Sequence, residues 1–244
     1  MLTVDFGQFP VGLGDRVLDM GCGGGRHAFA LYRRGAKVVA LDMSEKDLQE
    51  VEVMFQAMEL EGEVPAGASA STVRGTAYSL PFGDASFDRV IAAEIMEHLP
   101  EDTSAMAELY RVLKPGGLIA VTVPRWGPEK VCWALSDDYH EVDGGHIRIY
   151  KGSQLRERLE ATGLVFTGAH HAHALHTPYW WLKCAVGVTN DNNLLVKAYH
   201  WLLVWDMVKQ PLVTRVAEKV LQPLVGKSLV VYLRKPGESA RAAA

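Results

Sequence analysis

Between Asp137 and Tyr150 the chain reads Asp-Asp-Tyr-His-Glu-Val-Asp-Gly-Gly-His-Ile-Arg-Ile-Tyr, with two imidazoles, four carboxylates and a guanidinium in fourteen residues. Imidazole is the side chain best matched to base work near neutral pH. His146 and His140 are therefore the candidate catalytic bases, with Glu141 as a third catalytic candidate. Carboxylates at such spacing can also hold a divalent metal such as magnesium, which acidifies a hydroxyl bound to it. Asp137, Asp138 and His140 would be its ligands, although no tight i, i+4 ligand pair or cysteine cluster marks a metal centre. The structural alternative for His146 is a hydrogen-bonded pair with Arg148. Trp126, Trp133, Tyr139 and Tyr150 flank the segment. Aromatics among acids suit stacking on a sugar face while the acids bind hydroxyls; the plainer alternative is a small lid core. The substrate contacts this suggests are Glu94, Trp126, Tyr139, Arg148, Tyr150 and His171. His171 belongs to a second histidine cluster with His170, His173 and His176. Strand alternation would put His171 and His173 on one face, as a polar pocket wall.

A second constellation lies near the start, at Val17-Leu18-Asp19-Met20-Gly21-Cys22-Gly23-Gly24-Gly25-Arg26. An apolar run enters glycines and a helical pattern follows. Such a turn lets backbone approach a ligand and presents free N–H groups at a helix N-terminus. The dinucleotide fingerprint fails from Gly21, where Arg26 takes the third place, and is met loosely from Gly23 through Gly25 to Ala28. Asp19, beside the turn, suits a cationic ligand group such as an amino-acid ammonium. Asp42 ends the next strand and can accept from both hydroxyls of a ribose. Gly21, Cys22, Gly23, Gly25, Met43, Thr76, Ala77 and Glu94 complete the candidate cofactor contacts.

Elements must place these groups at one crevice. Strand patterns fall at Arg16–Met20, 37–41, 72–74, 89–92 and 118–123, and helical ones at 26–34, 45–60, 101–113 and 153–162. This alternation predicts an α/β fold with a mostly parallel sheet. Ligands of such sheets sit beyond the C-terminal strand ends. Residues 61–71 read as a surface loop. Two stretches depart from the alternation: an aromatic and acidic one at 124–150 and a helical one at 171–226. The latter reads as two amphipathic helices near 193–209 and 212–224, with Trp201, Trp205 and Val208 on one stripe. That stripe would cover the acceptor pocket, form a homodimer face, or, least favoured because basic residues are few, touch a membrane surface. A last strand is expected at 228–233, and the tail 236–244 reads as disordered.

With 244 residues and a net charge of −4, one domain over 1–244 is expected and nucleic acid is disfavoured as a partner. The three scattered cysteines fit a reducing compartment, the cytoplasm. No apolar run reaches the roughly 20 residues that span a bilayer.

The chain resembles the class I S-adenosylmethionine (SAM)-dependent methyltransferases, among them quinone and sugar methyltransferases. The resemblance rests on Val17–Gly25, Asp42, Leu80-Pro81-Phe82, Ser86-Phe87-Asp88, Glu97-His98-Leu99 and Leu113-Lys114-Pro115-Gly116-Gly117. It implies a Rossmann-like, doubly wound seven-stranded sheet, mostly parallel with an antiparallel last strand, plus aromatic-rich lid insertions, and SAM as cofactor. That family usually carries Gly-Asp-Ala where this chain has Gly75-Thr76-Ala77, so Thr76 offers the adenine amine a weaker, uncharged acceptor. Through Val123–Trp126, Glu141–Tyr150, 169–181 and 204–207 the chain is also similar to actinobacterial methyltransferases of methylmannose polysaccharide assembly. This implies O-methylation of a small methylated mannose oligosaccharide at its anomeric hydroxyl, with a saccharide as partner. The alternatives are a quinone or lipid-like acceptor, a SAM-binding protein without catalysis, and a NAD-dependent dehydrogenase.

Overall fold

The run Arg16–Met20 forms β1, an inner strand of the sheet. Its side chains alternate between two faces, and both faces are buried. Leu18 and Met20 enter one core, Val17 the other. Helices must therefore cover both sides. The computed structural model describes residues 2–142 and 144–237. Helix α1 (Arg26–Tyr32) follows the glycine turn, then β2 (Lys37–Asp42), α2 (Glu45–Leu60), β3 (Ser69–Arg74) and β4 (Phe87–Ala93). Next come α3 (Asp102–Val112), β5 (Leu113–Pro124), α4 (Trp126–Leu135), α5 (Gly152–Glu160), β6 (Val165–Ala172), α6 (His176–Val186), α7 (Leu194–Lys209), α8 (Leu212–Val225) and β7 (Ser228–Arg234). The sheet order is β3-β2-β1-β4-β5-β7-β6. Six strands share one direction, and β7 pairs antiparallel with both β5 and β6. This is the expected doubly wound α/β sheet with an antiparallel last strand.

Leu31, Val51 and Phe55 of α1 and α2 pack on one face; Met106, Leu109, Leu155 and Leu159 of α3 and α5 pack on the other. Ser44 caps α2 as its type suggests, its hydroxyl accepting from the Asp47 N–H at 3.2 Å.

Several expectations need correction. Residues 69–71 are not loop: they extend β3, because Ser69, Ala70 and Ser71 pair in register with Lys37, Val38 and Val39 of β2. Helix α4 falls in a stretch that departs from the alternation, and α6 in the part of the helical stretch before the two helices expected there. Their prolines, Pro128 and Pro178, sit in the first turn, where an N–H has no helical partner to lose. His171 and His173 do not share a strand face. Strand β6 ends at Ala172, and His173 turns away with φ 64°. Trp201 and Val208 do lie on one row of α7, but the row faces outward, 67% and 68% exposed. Most of the expected disordered tail, residues 238–244, lies outside the described residues. Among the described residues, no helix is long and apolar enough to cross a membrane.

Candidate active site

The C-terminal ends of β1, β2 and β4 open onto a cavity of about 670 Å³. Gly21, Gly23, Asp42, Met43, Thr76, Ala77 and Glu94 line it, as the sequence suggests. Ile95, His98 and Gly144 also line it and were not foreseen as contacts. Gly21 adopts φ 69°, and a Cβ there would lie 2.2 Å from Ile95 Cδ1, so only glycine lets β1 and the Ile95 segment approach. Asp42 braces the turn: its carboxylate accepts from the Gly23 and Ser44 N–H groups, both at 2.9 Å. Thr76 Oγ1 accepts from the Tyr78 N–H at 3.3 Å, which sets the loop under the cavity.

Three expected cofactor contacts sit elsewhere. Asp19 is buried beneath the turn and accepts from the Ala28 N–H at 2.9 Å, so it caps α1 instead of facing the cavity. Burial pushes its carboxyl up to about 7. Cys22 is buried, and burial raises its thiol far above the usual range. Gly25 supplies the left-handed residue that starts α1, with Phe29 and Val51 against it.

Glu94 ends β4 with φ 54° and lines two cavities. Thr122 Oγ1 donates to its carboxylate at 2.8 Å and accepts from its N–H at 3.1 Å. Beyond Glu94 lies a second cavity of about 350 Å³, walled by Arg26, His173, His176, Trp180, Met207 and Lys227. A third, of about 450 Å³, shares His173 and Met207 with the second and reaches the inner ends of α7 and α8.

His146 is held beside the first cavity by backbone stitching. The Ile147 N–H donates to the Glu97 carbonyl at 3.0 Å, and Arg148 donates to the Pro100 carbonyl at 2.7 Å. His146 packs edge-on against the His98 ring, centroids 4.9 Å apart. Its Nδ1 donates to Glu129 Oε1 at 2.5 Å. Glu129, on α4, is 2% exposed and also accepts from Trp133 Nε1 at 3.1 Å and the Tyr139 hydroxyl at 3.2 Å. Burial pushes this carboxyl up, but the His146 contact, the Lys227 charge and the Trp133 bond outweigh it and hold it below the usual carboxylate range. A buried carboxylate that orients an imidazole is the arrangement of a general base and its positioning residue. Glu129 was not foreseen. It stands seventeen residues from His146, and only its spacing to Trp133 on one helical turn hints at the pair.

The other acceptor and catalytic candidates divide. Tyr139 backs the pair, its ring 5.8 Å from His146 and 5.7 Å from Trp180. His140 is stacked flat on Trp133 at 4.1 Å, with Nδ1 donating to the Ser136 carbonyl; neither it nor His146 lines any of the three cavities, but His146 packs on His98 of the first cavity's wall. Glu141 and Asp138 are exposed. Tyr150 is a core residue, 1% exposed, whose hydroxyl donates to Asp102; it does not face the cleft. Arg148 pairs with Asp102 at 2.8 Å, not with His146. Trp126 and His171 line a separate side cavity with Arg125 and Leu224.

The metal candidates also move. Asp137, His140 and Glu141 do cluster, without Asp138, but on the surface. A buried alternative is Glu97 with His98 and His146, whose ligand atoms lie within 4.8 Å of one another. Both Glu97 oxygens are buried without a hydrogen-bond partner. Burial and the Glu94 charge raise this carboxyl well above its ordinary value. His98 Nδ1 donates to the Gly145 carbonyl at 3.2 Å, so both rings are anchored from behind, as metal-ligating histidines are. The donor set fits a divalent cation.

Residues 18–121 match the model of a methyltransferase domain. The chain is 37% identical over 122 residues to a ubiquinone biosynthesis O-methyltransferase of Alkalilimnicola ehrlichii, covering 50% of this chain and 47% of that one. It is 34% identical over 137 residues to a sterol 24-C-methyltransferase of Eremothecium gossypii, covering 56% and 33%. The chain thus spans a third to about half the length of these relatives. Geranyl diphosphate methyltransferase in complex with SAM shares the fold, with a TM-score of 0.60 at 14% identity over 93% of this chain and 80% of that one. So does the [4+2]-cyclase SpnF, with a TM-score of 0.59 at 20% identity over 93% and 76%.

Proposed function

We propose, from a chain whose residues 18–121 are a methyltransferase domain of the class I, SAM-dependent type, that the protein is an O-methyltransferase for a small hydroxylated acceptor. The observation that carries this reading is the 2.5 Å bond between Glu129 and His146, whose ring packs on His98 of the cofactor cavity wall. Methyl transfer from a sulfonium needs alignment and exclusion of water, and a hydroxyl nucleophile also needs a base. A carbon or amine acceptor needs such a base less.

SAM supplies the electrophilic methyl group when bound. Asp42 offers its carboxylate to the ribose, and Thr76 and Ala77 form the adenine end of the cavity. Glu94 stands where the cofactor cavity meets the next one, which takes the acceptor; its 350 Å³ lies within the range of small-molecule sites. The acceptor proton passes to His146, and the Glu129 carboxylate stabilises the imidazolium that forms. Trp180 offers a flat apolar face, as a sugar ring requires. The acceptor we favour is a short methylated mannoside, methylated at its anomeric hydroxyl, with 124–150 and 171–226 as the segments around it. A quinone-type acceptor is the second reading, in keeping with the ubiquinone O-methyltransferase relative.

The Glu97 carboxylate, which has no hydrogen-bond partner, supports an alternative to base catalysis by His146: a divalent cation held by Glu97, His98 and His146, whose Nε2 would then ligate the ion instead of taking the acceptor proton. Bound there, it would lower the pKa of the acceptor hydroxyl.

The test is radiolabelled methyl transfer from SAM to methylated mannosides and to demethylated quinones, with chelator or added magnesium. His146→Ala should abolish turnover while S-adenosylhomocysteine still binds. Turnover unchanged in that variant would remove His146 as base. Turnover unchanged by chelator would remove the cation.

A further inference from the structure

Helix α8 is inside out. Leu212, Val213, Val216, Val220 and Leu224 share one arc of the helix at its 3.6-residue repeat. They are 54–79% exposed. The polar side faces the protein instead. Thr214 is buried, and the Glu218 carboxylate accepts from the Ala174 and Leu175 N–H groups, at 2.7 and 2.9 Å, just before α6. Helix α7 repeats the theme with Leu194, Trp201 and Val208, seven residues apart and each at least two-thirds exposed. Trp201 stacks on Trp205 with centroids 6.4 Å apart. An exposed apolar row along two consecutive helices needs a cover.

The charges indicate which cover. Every exposed charged side chain of the two helices is a cation: Lys197, Lys209, Arg215 and Lys219. The two acids, Asp206 and Glu218, are half-buried and help line the third cavity. Yet the whole chain carries a net charge of −4, so this face opposes the sign of the molecule. A two-fold pairing would bring like cations together with no outward acid to meet them. An anionic lipid surface meets both features, since interfacial helices combine an apolar face, tryptophan and flanking lysine or arginine. We propose that α7 and α8 dock this protein on an anionic lipid surface. The third cavity, between these helices and the acceptor cavity, then opens beside that surface.

The test uses the full chain and needs no activity, so it stands apart from the proposed function. The protein is sedimented with vesicles of phosphatidylcholine mixed with phosphatidylglycerol, and with phosphatidylcholine alone, at low and high salt. Pelleting with the anionic vesicles, weakened by salt, is expected, together with a blue shift of tryptophan emission. Val216→Glu combined with Val220→Glu should cut partitioning by at least about tenfold, because two buried apolar contacts become charges. Trp201→Ala, on the other helix, should weaken it too. Both sets lie at exposed positions, so circular dichroism should be unchanged. No pelleting with anionic vesicles overturns the proposal. So does a dimer in sedimentation equilibrium that the same glutamates dissociate, which would assign the face to a second copy of the chain.

Discussion

Replacing Glu129 by glutamine separates what this carboxylate does for folding from what it does for chemistry. The side chain is isosteric. Its carbonyl can still accept from His146 Nδ1 and Trp133 Nε1, both of which point at one oxygen, while its amide faces the Tyr139 hydroxyl. A hydrogen bond to a charged group contributes about 1.5–3 kcal/mol and a neutral one about 0.5–1.5. The imidazolium formed during proton transfer thus loses about 1–2 kcal/mol of support, and kcat should fall by about five- to thirtyfold. Stability at neutral pH should fall only modestly, because the contacts that outweigh desolvation are weakened while the carboxylate's desolvation cost also disappears. S-adenosylhomocysteine affinity should not change, since Glu129 does not line the cofactor cavity. The assays are single-turnover methyl transfer, urea denaturation and calorimetric titration. Acid sensitivity supplies a second readout. The Glu129 carboxyl is held below its ordinary value, so its contribution is fully present above that value and is lost as pH falls through the depressed one. The glutamine variant should lack this component. An unchanged kcat, or kcat and stability falling in parallel, would refute the positioning role. Glu129→Ala differs: it strands Trp133 and Tyr139 donors in a cavity and should cost about 2–4 kcal/mol of stability.

Asp42→Ala removes the acceptor for the Gly23 and Ser44 N–H groups and for the ribose, so S-adenosylhomocysteine affinity measured by calorimetry should drop at least about tenfold. Gly25→Ala forces an L side chain to φ 76° with its Cβ 2.7 Å from Phe29 Cζ; urea denaturation should show a loss of about 2–4 kcal/mol. Burial raises the Asp102 carboxyl, but Tyr150, Arg158 and Arg148 together hold it below its ordinary value. Its stabilisation is therefore present above that value and lost as pH falls through the lowered one, and Asp102→Asn should flatten the acid limb of thermal stability measured from pH 7 downward.

The sheet and its cofactor edge were legible because both depend on short-range pattern. The apolar runs of β1 and β2 are buried on both faces, and the glycine turn must adopt dihedrals that glycine alone takes readily. Asp42, Thr76 and Glu94 followed from their places at strand ends. The acceptor side was less legible because its contacts are long-range. Tyr150 reads as an aromatic wall, but Asp102, forty-eight residues earlier, draws its hydroxyl into the core. His146 and Arg148, which read as partners, are claimed by Glu129 and Asp102. Asp19 reads as a ligand contact, and a helix cap claims it first. The outward faces of α7 and α8 stood only as one option beside a pocket cover, since periodicity marks an apolar row without saying which way it turns.

Among the described residues, Glu94 is the one side chain that walls both the cofactor cavity and the cavity beyond it. Its left-handed backbone and the paired contacts with Thr122 leave it little room to yield to either occupant. The two chambers are then coupled through a shared partition. Linkage makes that coupling reciprocal: by whatever factor an occupied first chamber alters affinity in the second, the second alters the first. The stability of the ternary state is therefore independent of the order of arrival, and only the rate of reaching it can favour one sequence of binding over the other.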